Sequence, residues 1–335
     1  MSTIPPYSVL WLQAGSCGGC TAAAMESDPK LLTGASSFIS LVGHPAVCEA
    51  SGAEYLDLLR SILSGVTKID ALLVEGAVML GPEGSGRFQM ASGFDRPMCR
   101  LVEELAAKSR HVVAVGSCAA FGGVVAGSGC RTQAVGLQFD SGKAGGLLAP
   151  GWRSASGLPV VNIAGCAPHP GWIVETLLLL SQDALGADDL DSYQRPRFFA
   201  DHLAHHGCNR NEYYEYKASA LEPSQQGCLM ENLGCRATQA PGDCNRRRWN
   251  GNGSCTNAGY ACIACTAPGF AGSQEPFLET PKLAGIPVGL PVDMPKAWFV
   301  ALAALSKSAT PSRVKKNATE SRILVPPAPR SRTQK

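Results

Sequence analysis

The stretch from His205 to Cys265 constrains this chain more than any other. It opens on His205-His206-Gly207-Cys208 and continues through Cys228, Cys235, Cys244 and Cys255. It closes on Cys262-Ile263-Ala264-Cys265, so seven of the fourteen cysteines fall inside it. The segment is rich in Gly, Pro, Asn and Gln and shows little hydrophobic periodicity. Such a stretch cannot bury enough apolar surface to offset its conformational entropy. Its aromatic residues, among them Tyr213, Tyr214, Tyr216, Trp249 and Tyr260, nevertheless belong to ordered chain. Thiolates that bind metal resolve the conflict, because ligation free energy can substitute for hydrophobic burial.

The rest of the composition narrows the setting. A length of 335 residues suggests about two domains. A net charge of +2 gives no reason to expect nucleic acid as a partner. The first residues run at once into Tyr7-Ser8-Val9-Leu10-Trp11-Leu12, which reads as a buried strand and not as a signal peptide. No apolar run approaches the length of a membrane span. A cytoplasmic location, at most peripheral to a membrane, is therefore expected. In a reducing compartment fourteen cysteines favour metal binding or redox chemistry over disulfides.

The first half alternates strands and helices. Short apolar runs at 7–13, 71–76, 111–116 and 158–164, bounded by glycine, suit a parallel sheet covered on both faces. Helical patterns lie at 53–63, 97–108 and 171–182; Asp95 is a candidate cap for the second, with Pro97 in its first turn. The pattern is that of an α/β fold with a doubly wound parallel sheet, flavodoxin-like in character. The alternation stops after Gln182. A polar link ending at Arg195-Pro196 leads into the cysteine-rich region, and the chain divides into 1–190, 191–292 and 293–335. The last part is expected to hold a short helix at 294–305 and then a basic, proline-rich, mobile tail.

In doubly wound sheets ligands bind beyond the carboxyl ends of the strands. Cysteines occupy those positions here. They are Cys17 and Cys20 after the first strand, Cys118 after 111–116, and Cys166 after 158–164. A thioredoxin-type dithiol at Cys17 and Cys20 would leave Cys118 and Cys166 unexplained. Structural zinc usually draws on paired, local Cys-x-x-Cys units, whereas these four cysteines are far apart in sequence. Four such thiolates suit a 4Fe–4S cluster best.

The motifs Cys17-Gly-Gly-Cys20, Gly116-Ser-Cys118-Ala-Ala-Phe-Gly-Gly123, Gly165-Cys166-Ala-Pro-His-Pro170, Gly227-Cys228-Leu-Met-Glu-Asn-Leu-Gly234-Cys235 and Ala258-Gly-Tyr-Ala-Cys262-Ile-Ala-Cys265 carry a resemblance. In this order they resemble the small subunit of a nickel–iron hydrogenase across residues 7–290. The resemblance implies a flavodoxin-like domain followed by an irregular cluster-binding domain. It also implies an electron-transfer role: wiring a nickel–iron site, held in a separate large subunit, to an external electron acceptor.

The family pattern implies three 4Fe–4S clusters. The proximal one would take Cys17, Cys20, Cys118 and Cys166. The distal one would take His205, with His206 as the neighbouring alternative, together with Cys208, Cys228 and Cys235. The medial one would take Cys244, Cys262 and Cys265. Many relatives have proline where a fourth medial ligand would stand; here the position is Cys255, which implies a 4Fe–4S and not a 3Fe–4S medial cluster. Gly19 and Gly123 stand where oxygen-tolerant membrane-bound relatives carry extra proximal cysteines, so the six-cysteine variant is not expected. The run Gly227–Cys235 and the 285–291 segment resemble the cytoplasmic uptake and high-affinity actinobacterial-type branches.

No catalytic base, nucleophile or nickel ligand is assigned to this chain. The expected partners are the large subunit and an acceptor protein or quinone-linked carrier, within a higher-order oligomer of heterodimers. Cys48, Cys99 and Cys130 read as buried, small apolar residues, and Arg246-Arg247-Arg248 as a solvated or partner-facing charge run. Glu75, ending a strand near the cysteine loops, is either a proton relay or a buried, hydrogen-bonded carboxylate. Two other functions compete with the hydrogenase reading. One is a cluster-bearing subunit of a quinone reductase-type complex, which would lack the second cysteine-rich region. The other is a non-enzymatic, zinc-stabilised interaction module.

Overall fold

The computed structural model describes residues 6–27, 38–48, 50, 52–127, 131–249, 251, 253–272 and 278–320. Their fold divides into two compact units, one from Met1–His202 with Cys265–Glu275, the other from Leu203–Ala264 with Pro276–Lys335.

The first unit is built on a five-stranded sheet of β1 (Tyr7–Gln13), β2 (Ile39–Gly43), β3 (Ala71–Glu75), β4 (His111–Val115) and β5 (Val161–Ile163). Every pairing is parallel, and the spatial order is β2-β1-β3-β4-β5. This is the flavodoxin-like order. All five residues of β3 and all five of β4 are buried, as the continuous apolar runs require of strands covered on both faces. The covering helices are α1 (Gly19–Ser27), α2 (Gly52–Leu63), α3 (Met98–Ala106), the short α4 (Ser117–Phe121) and α5 (Pro170–Ser181). Leu59 and Ile62 of α2 and Leu101, Val102 and Leu105 of α3 close one core with Leu10, Leu72 and Val112.

Two local expectations need correction. The sheet has one strand more than the four apolar runs predict. The extra strand is β2, because Ile-Ser-Leu-Val-Gly is a short edge segment whose three middle residues are only half-buried. Asp95 does not cap α3. Pro97 takes the N-cap position in extended backbone and no side chain caps the helix.

The second unit has little regular structure. Helices α6 (Asn211–Glu215), α7 (Lys296–Ala309) and α8 (Ser312–Ala318) surround it, with a two-stranded ribbon of Lys282–Leu283 and Ile286–Pro287. Its apolar clusters are small. Tyr214, Met230 and Phe299 form one; Ala220, Leu229 and Leu233 another; Ala218, Val314 and Ala318 a third. Order extends further along the C-terminal part than a mobile tail from residue 306 would have it. α7 runs to Ala309, and α8 buries Val314 and Ala318. The tail beyond residue 320 lies outside the described residues.

Candidate functional site

The C-terminal ends of β1, β4 and β5 deliver Cys17, Cys20, Cys118 and Cys166 to one end of the sheet. Glu75, the last residue of β3, fixes the first of these loops. Its carboxylate is 1% exposed. It accepts hydrogen bonds from Trp11 Nε1 (3.1 Å), Gln13 Nε2 (3.4 Å), Ser16 Oγ (2.7 Å), Cys20 N (3.1 Å) and Thr21 Oγ1 (2.5 Å). Burial alone would push this carboxyl up, but the side-chain donors Thr21, Ser16 and Gln13 and the Cys20 amide hold it below its ordinary value. Of the two roles open to Glu75, the geometry matches the hydrogen-bonded anchor.

Glycines let these loops close on one another. Gly116 has φ +92°, and a Cβ there would stand 2.5 Å from Cys20 Sγ. Gly123 has φ +54°, and a Cβ there would stand 2.5 Å from Cys118 Sγ. Ser117 is the other organiser: its amide donates to Gly165 O (2.9 Å), its Oγ accepts from Gly165 N (2.9 Å), and its hydroxyl donates to the carbonyl of Cys265. The thiols feel one another. Burial, then the Glu75 carboxylate, then Cys118, Cys17 and Cys166 push the Cys20 thiol far up. Burial first, and neighbouring thiols after it, also raise Cys118 and Cys166. Such thiols are protonated until iron displaces the proton.

In the second unit, His205, Cys208, Cys228 and Cys235 line a single small cavity of ≈ 20 Å³. His205 packs edge-on against Tyr214 with ring centroids 4.2 Å apart, and its pKa is lowered by burial, which keeps the imidazole neutral. His206 is not in that wall; its Nε2 lies 3.2 Å from Asp293 Oδ2 and its Nδ1 accepts from Leu203 N (3.2 Å). Burial pushes the Cys228 thiol up to about 12.

One wall residue was missed from the sequence. Arg210 is 5% exposed and donates to Gln225 O (2.6 Å), Gly227 O (2.7 Å) and Thr256 O (3.2 Å). It puts a buried positive charge within electrostatic reach of Cys208, Cys228 and Cys235. A lone arginine in a polar loop gives no sequence signal for this.

The medial residues are divided. Cys244, Cys255 and Cys262 belong to the second unit, and Cys265 is grouped with the first. The loops of Cys244 and Cys255 are tied by their neighbours, Thr256 Oγ1 donating to Asn245 Oδ1 at 3.0 Å. The Cys262 amide donates to Cys235 Sγ at 3.4 Å, and Arg210 N and Ala264 N donate to Cys208 Sγ and Cys262 Sγ at the same length. Amide donors of this kind stabilise thiolate sulfur and tune cluster potential. Cys99 is buried as expected, Cys48 is only half-buried, and Cys130 lies outside the described residues. Of the three arginines, Arg247 pairs with Asp243 (3.3 Å).

These residues fit iron–sulfur clusters. Thiols from separate loops surround glycine-cleared space, and a cavity is walled by three cysteines and a neutral histidine. Among the described residues no three His, Cys, Asp or Glu side chains gather closely enough to hold one ion.

Comparison with known proteins agrees with this architecture. Residues 17–180 match the family described as NADH ubiquinone oxidoreductase, 20 Kd subunit. Residues 200–278 match the family of the C-terminal region of NiFe/NiFeSe hydrogenase small subunits. The F420 non-reducing hydrogenase I small subunit of Methanosarcina mazei is 31% identical over 312 residues, covering 85% of this chain and 78% of that protein. The periplasmic [NiFeSe] hydrogenase small subunit of Desulfomicrobium baculatum is 31% identical over 283 residues, covering 80% and 86%. Among solved structures, the actinobacterial-type NiFe-hydrogenase from Ralstonia eutropha H16 superposes with a TM-score of 0.72 at 27% identity, covering 92% of this chain and 93% of that one.

The chain belongs to the nickel–iron hydrogenase small-subunit family. It is the electron-transfer subunit of an H2-oxidising hydrogenase, carries iron–sulfur clusters, and pairs with a large subunit that holds the catalytic site. The hydrogenase match over 200–278 separates it from a quinone reductase subunit, with whose family only the first region is shared. No helix among the described residues is long and apolar enough to cross a membrane.

Proposed function

We propose that this chain holds three 4Fe–4S clusters and connects the large subunit's nickel–iron site to an external acceptor through them. Cys17, Cys20, Cys118 and Cys166 would hold the proximal cluster. Cys244, Cys255, Cys262 and Cys265 would hold the medial one, and His205, Cys208, Cys228 and Cys235 the distal one. When bound, the clusters supply one-electron carriers whose potentials depend on ligand, charge and hydrogen bonding.

The residues of this chain do the rest. Glu75 and Ser117 hold the proximal loops in place. Ser117, beside Cys118, also hydrogen-bonds the Cys265 peptide, and the Cys262 amide reaches Cys235 Sγ while its carbonyl accepts from Arg236 N. Replacing a thiolate by the neutral His205 imidazole removes negative charge from the exit end and raises its potential. The cavity lined by all four proposed distal ligands is the observation that carries this reading.

The finer assignments follow the same reading: a division at 1–190, 191–292 and 293–335, a cytoplasmic location, kinship with the actinobacterial-type branch, and assembly of heterodimers into a higher oligomer. Iron and acid-labile sulfide analysis of the copurified heterodimer tests the cluster count. About twelve irons per chain are expected from three cubanes. A well-loaded preparation with about four would sink the three-cluster proposal.

A further inference from the structure

Each unit sets a buried charge beside its proposed ligands, and the signs are opposite. In the first unit it is Glu75, 1% exposed, which accepts from the Cys20 amide at 3.1 Å. In the second it is Arg210, 5% exposed, which lines the distal cavity and whose amide donates to Cys208 Sγ at 3.4 Å. Neither makes a salt bridge among the described residues, so no partner cancels either charge.

The hydrogen bonds around Glu75 fix its charge. Trp11 Nε1, Gln13 Nε2 and Cys20 N can only donate to it. Thr21 Oγ1 already accepts from Gln13 Nε2 (3.1 Å), and His44 Nε2 lies 3.1 Å from it. His44 is 2% exposed, and its Nδ1 accepts from Ala46 N (2.9 Å), which leaves the ring proton on Nε2, facing Thr21. The Thr21 hydroxyl proton therefore turns to Glu75. Ser16 Oγ likewise accepts from Gly18 N (2.9 Å) and gives its own proton to Glu75. Five donors thus converge on a carboxylate that has no proton to give. Arg210 is charged as every guanidinium is; the carbonyls of Gln225, Gly227 and Thr256 hold it without neutralising it.

We propose that these two charges grade the electron path: Glu75 lowers the reduction potential of the proximal cluster, Arg210 raises that of the distal one, and electrons from H2 run outward between them. His44 is a positioning residue that acts through Thr21. This rests on the reading that Cys20 and Cys228 ligate different clusters. Each electron adds one negative charge to the cluster it reaches. A fixed carboxylate opposes that charge and a fixed guanidinium favours it, and burial keeps solvent from screening either. The neutral His205 imidazole shifts the distal cluster in the same direction as Arg210.

The test is an EPR-monitored redox titration of the intact heterodimer, with iron content measured on each sample. Glu75→Gln keeps the size of the side chain and removes its charge. At a potential that leaves one wild-type cluster signal half reduced, its reduced-to-oxidised ratio should rise about tenfold. Arg210→Met should lower the ratio of a different signal. If Glu75→Gln loses iron, His44→Phe decides. It keeps the carboxylate but frees the Thr21 hydroxyl to turn away, so the negative charge is less spread and a signal other than that of Arg210→Met becomes harder to reduce. Potentials unmoved by the deciding variant or by Arg210→Met, or both moving one signal, overturn the inference while the cluster signals leave the relay reading standing. Absence of those signals from the wild type overturns both.

Discussion

In the α/β unit, Cys17, Cys20, Cys118 and Cys166 leave strands packed into a core of 24 buried residues, from Leu10 to Ala164. In the second unit, the thiols of Cys208, Cys228 and Cys235 stand, among the described residues, by clusters of three buried residues each. One unit brings its ligands together with a sheet that exists without iron. The other has too little apolar surface to offset the entropy of its loops, and the missing free energy must come from ligation. A buried arginine, Arg210, and amide-to-sulfur hydrogen bonds do there what strand pairing does in the first unit.

The largest test of this contrast is removal of iron. Anaerobic chelation of the heterodimer should unfold the 203–264 region and leave β3 and β4 protected. Hydrogen exchange resolves the two regions: amides near Cys228 and Cys235 should lose protection by about tenfold or more, while those of 71–75 and 111–115 keep theirs. Equal loss in both regions would erase the distinction.

The next effect is confined to the cysteine-rich side. If Cys255 is the fourth medial ligand, Cys255→Pro should release one iron and leave a 3Fe–4S cluster, seen as a new EPR signal in the oxidised complex. The proximal and distal signals should persist, because none of their proposed ligands lies between Cys244 and Cys265. That signal at full strength in the unmodified protein would make Cys255 a bystander.

A smaller effect should follow from Arg210→Met. This keeps much of the side chain's bulk but removes the buried charge that faces Cys208, Cys228 and Cys235. The reduced, more negative cluster then loses more stabilisation than the oxidised one, so the distal potential should fall. A redox titration followed by EPR reads it, with Arg210→Lys restoring part of the shift. Loss of the carbonyl contacts to Gln225, Gly227 and Thr256 should also lower stability, but a stability change with an unmoved potential would make Arg210 a strut only.

What could be read from the sequence follows the same division. Strands β1, β3 and β4 were legible because burial on both faces writes a continuous apolar run, and the cysteines at their ends stood out against it. β2 was not, because an edge strand is half polar. The histidine and cysteines of the distal cavity came from the family resemblance, not from periodicity, since metal-held loops have no period. Ser117, Arg195 and Arg210 act through hydrogen bonds between residues distant in sequence. Arg195, for instance, reaches Thr266 O at 2.8 Å, and composition has no trace of that.

The smallest effect belongs to the α/β unit and has a definite sign. His111 begins β4, is 3% exposed, and its Nδ1 lies 2.6 Å from Tyr7 Oη. Burial, and next the Arg110 charge, push its pKa down to about 4, against roughly 6.5 in an unfolded chain. Between these values the unfolded chain binds the extra proton and the folded one does not. Stability contributed by neutral His111 is therefore whole above about pH 6.5 and falls as pH drops toward 4, by at most about 1.4 kcal/mol per pH unit, with no further loss below. The facing groups are Tyr7, Arg110, Asp70 and Asp183; of these only Asp70 and Asp183 favour the charged imidazole, and they do not outweigh burial. Denaturant unfolding of the intact heterodimer, read at the buried Trp11, should show this slope between pH 6.5 and 5, and His111→Gln should flatten it. Acid loss in the second unit should follow iron release instead, so a chelator should exaggerate its pH dependence and leave that of the Trp11 transition unchanged. A Trp11 transition with the same slope in His111→Gln would show that the acid sensitivity lies elsewhere in the sheet.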